Sequence, residues 1–236
     1  MNPLVIISSG TKGIGRAAVE RFMAGGFDVV TCARTASDLA ALQHTLQAKY
    51  PNAKLFVKAT DMAVKEEVED FIGFIQSLGR PVEIIVNNAG IFIQGQIHEA
   101  SPGTLEQMME TNLYSAYYLA SGLVGGMIER KKGHIFTLCS TASIMAYPNG
   151  GAYCISKFAL YGFTKVLREE LKTKGIRVTA ILPGATLTSS WEGVELPPER
   201  FIKAEDIAEA IWSAYHLSPG AVVEEILIRP QLGDIV

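Results

Sequence analysis

Cysteine is scarce in this 236-residue chain: Cys32, Cys139 and Cys154 are the only three, an odd number with no CxxC pair. This argues against a disulfide framework and against a cysteine zinc site, and it points to a reducing compartment. Long apolar runs are also missing, since no stretch approaches the roughly 20 residues of a membrane span. The chain opens Met1-Asn2-Pro3 and goes straight into an apolar segment, without the basic and apolar regions of a secretory signal. The expected location is therefore cytoplasmic. Charge is thin and balanced, with 21 Lys and Arg against 24 Asp and Glu and a formal net charge of -3. Nucleic acid and anionic membranes attract through clustered cations. The one basic run, Arg130-Lys131-Lys132, reads as the solvated end of a helix stopped by Gly133. Repeats, low-complexity tracts and linkers are absent, which leaves one domain over 1–236.

What the chain does have is alternation. Short apolar, β-rich runs at 4–8, 28–32, 54–57, 83–86, 134–139, 177–182 and 224–228 are separated by stretches with a 3.6-residue period. Ile14, Ala17, Ala18 and Phe22 share one helical face, as do Val68, Phe71, Ile72 and Ile75. Strands alternating with helices predict an α/β fold: a doubly wound, Rossmann-type parallel sheet of about seven strands, covered by helices on both faces. One stretch, 187–203, lacks clear periodicity and carries Trp191, Gly193 and Pro197-Pro198. Its length and its place after a strand end suggest a substrate loop or lid.

At the first strand-to-helix turn stands Ser8-Ser9-Gly10-Thr11-Lys12-Gly13-Ile14-Gly15. Small residues there let backbone amides and a helix N-terminus approach a pyrophosphate. Near the end of the second strand, Cys32-Ala33-Arg34-Thr35 lacks the carboxylate that would bind both ribose hydroxyls of NAD. Arg34 and Lys12 are suited instead to the 2′-phosphate of NADP. Further on, Tyr153 and Lys157 lie one turn apart on a helix expected over 152–174. There the ammonium is expected to lower the phenol's pKa toward working pH, as a general acid/base requires. Ser140 closes one strand and Asn87-Asn88-Ala89-Gly90 closes another, both at the sheet edge where open α/β folds bind ligands.

These residues, in this order over nearly the whole chain, resemble the short-chain dehydrogenase/reductase family. The resemblance implies a catalytic set of Ser140, thirteen residues before Tyr153, with Tyr153, Lys157 and the upstream Asn112 of Thr111-Asn112-Leu113. It implies cofactor contacts from Ser9, Gly10, Thr11, Lys12, Gly13, Ile14 and Gly15. Arg34, together with Asp61 and Met62 near the adenine, would continue the site. Asn88, Ala89 and Gly90 would line the ribose side, and Tyr153 and Lys157 the nicotinamide ribose. Pro183, Gly184, Thr186 and Thr188 would meet the nicotinamide amide. On the residues alone, Asp61 reads as a helix N-cap and Asn112 as a polar residue inside a helix. Two positions depart from the pattern: Ser9 stands where the first glycine is usual, and Thr186 replaces a common valine.

The mechanism so implied uses NADP(H) and no metal. Ser140 polarises a carbonyl, Tyr153 delivers the proton, Lys157 holds ribose hydroxyls and favours the tyrosinate, and Asn112 anchors a water. The ending Val222–Pro230 with Gly233-Asp234-Ile235, together with Trp191, is similar to bacterial sepiapterin reductase-like members, which implies a small carbonyl substrate such as a pterin ketone. Two readings stay open beside it. A 3-oxoacyl-carrier-protein reductase would dock an acidic carrier on cations such as Arg168 and Lys172. A catalytically silent NADP-sensing protein would need no proton-transfer group. Relatives form homodimers or homotetramers through helices equivalent to 104–130 and 152–174 and the last strand. Ala116, Ala120 and Gly122 would suit close helix approach there.

Overall fold

The computed structural model describes residues 1–188, 193 and 195–235. Its centre is a seven-stranded, fully parallel sheet built from β1 (Leu4–Ile7), β2 (Asp28–Ala33), β3 (Leu55–Ala59), β4 (Val82–Asn87), β5 (Gly133–Leu138), β6 (Ile176–Pro183) and β7 (Glu225–Ile228). The spatial order is β3-β2-β1-β4-β5-β6-β7. Between them run α1 (Gly13–Ala24), α2 (Ala36–Lys49), α3 (Lys65–Ser77), α4 (Thr104–Met109), α5 (Ser115–Arg130), α6 (Gly151–Leu171) and α7 (Ala204–Tyr215).

β1 shows why the sheet needs cover on both sides. All four of its residues are buried, and because side chains alternate across a strand they feed two cores. Val5 and Ile7 join Ala18 and Phe22 of α1, Leu42 of α2 and Ile211 of α7. Leu4 and Ile6 join Phe71 of α3, Leu119 of α5 and Leu171 of α6 on the other face. Each such buried Val, Leu, Ile or Phe side chain contributes about 1.5–3 kcal/mol. Strand order reverses direction between β1 and β4, so the crevice beyond their C-terminal ends is the ligand-binding position of a doubly wound sheet.

Local structure departs from the sequence expectation in three places. The helix expected over 104–130 is interrupted: α4 passes through a π-helical turn, Glu110–Tyr114, into α5. The helix expected over 152–174 ends at Leu171, and Lys172–Lys174 tighten into a 3-10 turn. α5 is stopped by Lys131 in a left-handed conformation (φ 53°), whereas Gly133 opens β5. Two of the three small residues singled out on α5 face inward. Ala116 and Ala120 are buried in the chain's own cores, and a Cβ on Gly122 would lie 2.7 Å from Ile72 of α3, so this glycine admits a neighbouring helix of the same chain.

Candidate active site

The glycine turn after β1 is built by close approach. A Cβ on Gly10 would lie 2.1 Å from Thr31 Oγ1 and 2.8 Å from Val19, and one on Gly15 would lie 2.3 Å from the Ser9 carbonyl oxygen. Gly13 carries φ +53° beside Thr188. Ser9 itself is left-handed (φ 57°), the conformation that glycine adopts at least cost. Thus the turn keeps a glycine-like backbone at Ser9 and uses Gly10 for packing against β2. Ser8, absent from the expected site residues, ties the turn to β4: its Oγ accepts from the Asn88 and Ala89 amides, both at 2.9 Å. Asn88 Nδ2 donates back to the carbonyls of Ser8 and Ser9 at 2.9 and 3.1 Å. A serine just before a glycine turn was the available signal.

α1 begins after Lys12 with no side chain capping it and no acidic residue in its first turn. Its N-terminal dipole is therefore open to an anion. Arg34, just past β2, is exposed, and Lys12 is also exposed, 4.0 Å from Asp38. Open amides, close backbone approach and two exposed cations without a carboxylate at the end of β2 fit a phosphorylated dinucleotide. Asp61 is only partly engaged: one carboxylate oxygen accepts from the Ala63 amide at 3.0 Å, a local turn rather than a cap of α3, which starts after Val64. Met62 is buried, its sulfur 3.5 Å from Cys32 Sγ. Gly90 lies beside Asn112 and Lys157: a Cβ there would approach Asn112 Oδ1 and Lys157 Nζ at 3.4 and 3.5 Å. Thr186 is buried, donates to the Gly184 carbonyl at 3.0 Å and bridges to Ile202, anchoring both ends of the 187–203 loop. Beside it, Pro183 ends β6 and Gly184 packs on the C-terminal tail at Pro230 and Asp234. Trp191 lies outside the described residues.

The residues expected to carry the chemistry converge past β5. Ser140 sits one residue beyond Cys139, and its Oγ accepts from the Ala142 amide at 3.1 Å, capping a 3-10 turn over Thr141–Ser143. Tyr153 lies in the first turn of α6, and burial pushes its phenol up while the Ser140 hydroxyl opposes that shift. Lys157, one turn on, is buried; its Nζ donates to the Leu138 carbonyl at 2.8 Å and lies 5.8 Å from the Tyr153 ring centre. Burial draws this ammonium down to about 8. The expectation that Lys157 lowers the Tyr153 phenol is thus not met: burial raises it. The ammonium is aimed at a backbone carbonyl, and desolvation dominates both groups.

Asn112 occupies the π turn and is fully buried. Its Oδ1 accepts from the Ile91 amide at 2.7 Å, and its Nδ2 donates to the Ile91 carbonyl at 3.0 Å and to Ser156 Oγ at 2.8 Å. Ser156 donates in turn to the Tyr153 carbonyl at 2.8 Å. A π turn places one extra residue in the helix and is frequent at functional sites; here it aims the amide sideways at α6. Ser156 and Phe92, whose ring meets Tyr153 edge-on at 4.9 Å, were not anticipated. A serine three residues after the tyrosine can bond back into its own helix, whereas nothing in the sequence marks Phe92.

Arg168 and Lys172 are not open cations. Arg168 pairs with Glu224 and with Glu169, and Lys172 also pairs with Glu169. Arg168 lies about four turns along α6 from Tyr153 and Lys172 in the 3-10 turn that follows, and with Glu169 and Glu224 they form an ion-pair cluster rather than a docking patch.

With this geometry in view, the relatives are informative. The family profile of the short chain dehydrogenases matches residues 3–197. A sepiapterin reductase from Chlorobaculum tepidum is 30% identical, covering 100% of this chain and 99% of its own. An NADP-dependent 3-hydroxy acid dehydrogenase from Salmonella typhi is 28% identical over 89% of this chain and 87% of its own. Among solved structures, L-sorbose reductase from Gluconobacter frateurii, complexed with NADPH and L-sorbose, superposes with a TM-score of 0.88 at 26% identity, covering 97% of this chain and 95% of its own. An alcohol dehydrogenase from Thermococcus sibiricus shares the fold with a TM-score of 0.92 at 23% identity, over the full length of both chains. The profile covers most of the chain and the parallel seven-stranded sheet agrees with the solved structures, and the chain belongs to the short-chain dehydrogenase family of oxidoreductases.

Proposed function

We propose that this protein is an NADPH-dependent carbonyl reductase. The observation that carries the reading is the gathering of Ser140, Tyr153 and Lys157 at the C-terminal edge of β5, with Asn112 bonded to the same helix through Ser156. NADPH is supported by the exposed Lys12 and Arg34, by the uncapped start of α1, and by NADP or NADPH in the names of two relatives. The turn Ser9–Gly15 would hold the pyrophosphate through backbone amides. Asp61 and Met62 would flank the adenine, Asn88, Ala89 and Gly90 the ribose. Pro183, Gly184, Thr186 and Thr188 would meet the nicotinamide amide.

When bound, the cofactor supplies the hydride that reduces the carbonyl carbon. Ser140 Oγ donates a hydrogen bond to the carbonyl oxygen and polarises it. Tyr153 gives that oxygen its proton. The raised pKa of the Tyr153 phenol favours the neutral acid that reduction requires. Lys157 would hold ribose hydroxyls, and Asn112 fixes the orientation of α6 and would order the water that returns a proton to Tyr153.

A pterin-type ketone is a candidate substrate, supported by the 30% identity to a sepiapterin reductase. The 187–203 loop would cover it. Self-association is supported by α6, where Ile155, Phe158 and Val166 form an exposed apolar stripe, and by the exposed Tyr117 on α5. A cytoplasmic location is supported by three buried, unpaired cysteines. Substituting Tyr153→Phe tests the core of the reading. NADPH-driven carbonyl reduction is expected to fall about 100-fold or more with NADPH binding retained, and activity within about tenfold of the parent would refute it.

A further inference from the structure

Two chain segments flank Tyr153. One follows β4, Ile91-Phe92-Ile93-Gln94-Gly95-Gln96, and the other follows Ser140, running from Thr141 through Ile144-Met145-Ala146-Tyr147 to Gly150; neither contains Asp, Glu, Lys, Arg or His. Lys157, the cation beside Tyr153, is 5% exposed and directed at a backbone carbonyl. Yet these uncharged segments leave large apolar side chains open: Phe92, Ile144, Met145 and Tyr147 are each between 37% and 43% exposed.

Their position is fixed. Gly95 N donates to the Asn149 carbonyl at 2.9 Å, and a Cβ on Gly151 would lie 2.5 Å from the Gly95 oxygen. The two segments are thereby held together over the start of α6. Phe92 stands edge-on to Tyr153 with the planes at 82°. The Tyr147 ring packs at Gly150, where a Cβ would come within 2.9 Å of it and within 2.6 Å of the sulfur of Cys154, the residue after Tyr153. Burial, then Tyr153 and Cys154, push the Tyr147 phenol up, so it remains a neutral donor. Apolar surface left open beside a reacting group is what a ligand covers.

We propose that Phe92 and Tyr147 are specificity-determining residues that select an uncharged aryl ketone, whose aromatic body covers these rings while its carbonyl meets Tyr153. The proposal rests on the carbonyl-reductase reading. Hydride from NADPH and the proton of Tyr153 convert C=O to CH–OH, leaving NADP+ and a tyrosinate that regains a proton from solvent. A carboxylate substrate would lose its hydration against these two segments, neither of which offers a cation in return. A polyol would face apolar rings where it needs hydrogen-bond partners.

The full-length protein is assayed by NADPH oxidation against phenylpropanedione, acetoacetate and L-sorbose. In the parent, kcat/KM for the diketone is expected to exceed the other two by about 100-fold. Tyr147→Leu lowers it about tenfold, chiefly through KM. Phe92→Arg moves the preference toward acetoacetate. Calorimetric titration of phenylethanol into the NADP+-loaded protein, a readout independent of turnover, weakens in both variants. Parent rates for acetoacetate or L-sorbose equal to the diketone rate, or substrate ratios unchanged by both substitutions, overturn the proposal alone. Failure to oxidise NADPH with any of the three overturns the reductase reading, and the proposal with it.

Discussion

Exchanging Lys157 for methionine keeps an unbranched apolar stem and removes the charge. Lys157 is 5% exposed, and burial lowers its ammonium from 10.5 to about 8, with Cys139 opposing. Between those values the unfolded chain holds a proton that the folded chain has released. Stability therefore rises with pH through that window, and the charging penalty is present in full below it. The displacement corresponds to roughly 3 kcal/mol at pH 7 and to less than about 1 kcal/mol at pH 10. Against it stands the bond from Lys157 Nζ to the Leu138 carbonyl, whose loss costs about 1–2 kcal/mol. The ligand-free Lys157→Met protein is thus expected to be more stable than the parent by about 1–2 kcal/mol at pH 7 and less stable at pH 10. Urea denaturation at both pH values measures the difference, alongside a reductase rate reduced about 100-fold or more. A stability difference that does not change with pH, or a loss at pH 7, would refute the reasoning.

Ser9→Gly relieves a left-handed serine (φ 57°) that costs roughly 1 kcal/mol, and is expected to raise Tm by about 2–4 °C; calorimetry showing a lower Tm would contradict this. Asn112→Ala removes the side chain that pairs with both polar groups of Ile91 and with Ser156. The expected loss is about 3 kcal/mol in denaturant unfolding, and one below about 1 kcal/mol would mean that the π turn does not depend on these bonds. Arg34→Ala should weaken NADPH binding about 10- to 100-fold while leaving NADH unchanged. Fluorescence titration that finds both affinities unchanged would remove Arg34 from the cofactor site.

The sheet was readable because each strand is a short apolar run between amphipathic stretches, and the strands were located to within a residue or two. The family match and the grouping of Ser140 with Tyr153 were readable because they depend on spacing and on strand ends, which the pattern fixes. The π turn was not. Residues 104–130 carry continuous helical periodicity, and the extra residue is imposed by Asn112 reaching across to Ile91 and Ser156, a tertiary cause. Nor could the orientation of Lys157 be read. Spacing of four put it on the face of Tyr153, but the nearest acceptor turned out to be a carbonyl of β5. Arg168 resembled one half of a docking pair because its partner Glu224 lies 56 residues away in the sequence. Ser9 illustrates the opposite case: a serine stands where the resemblance expects glycine, yet its backbone is left-handed, the conformation glycine adopts at least cost.

The contact between Gly95 and Gly151 has an implication for how such a protein can be altered. With the Gly95 oxygen so near Gly151 that no side chain fits between them, the spacing of the two segments over α6 is set by main chain alone. Changes of residue at 92, 144, 145 or 147 alter the lining while leaving this main-chain contact in place, because those side chains are partly exposed and lie outside the buried cores. The protein is in this sense modular at the level of single side chains: new preferences can be reached one exposed residue at a time, while insertions or bulkier glycine replacements would disturb Tyr153 itself.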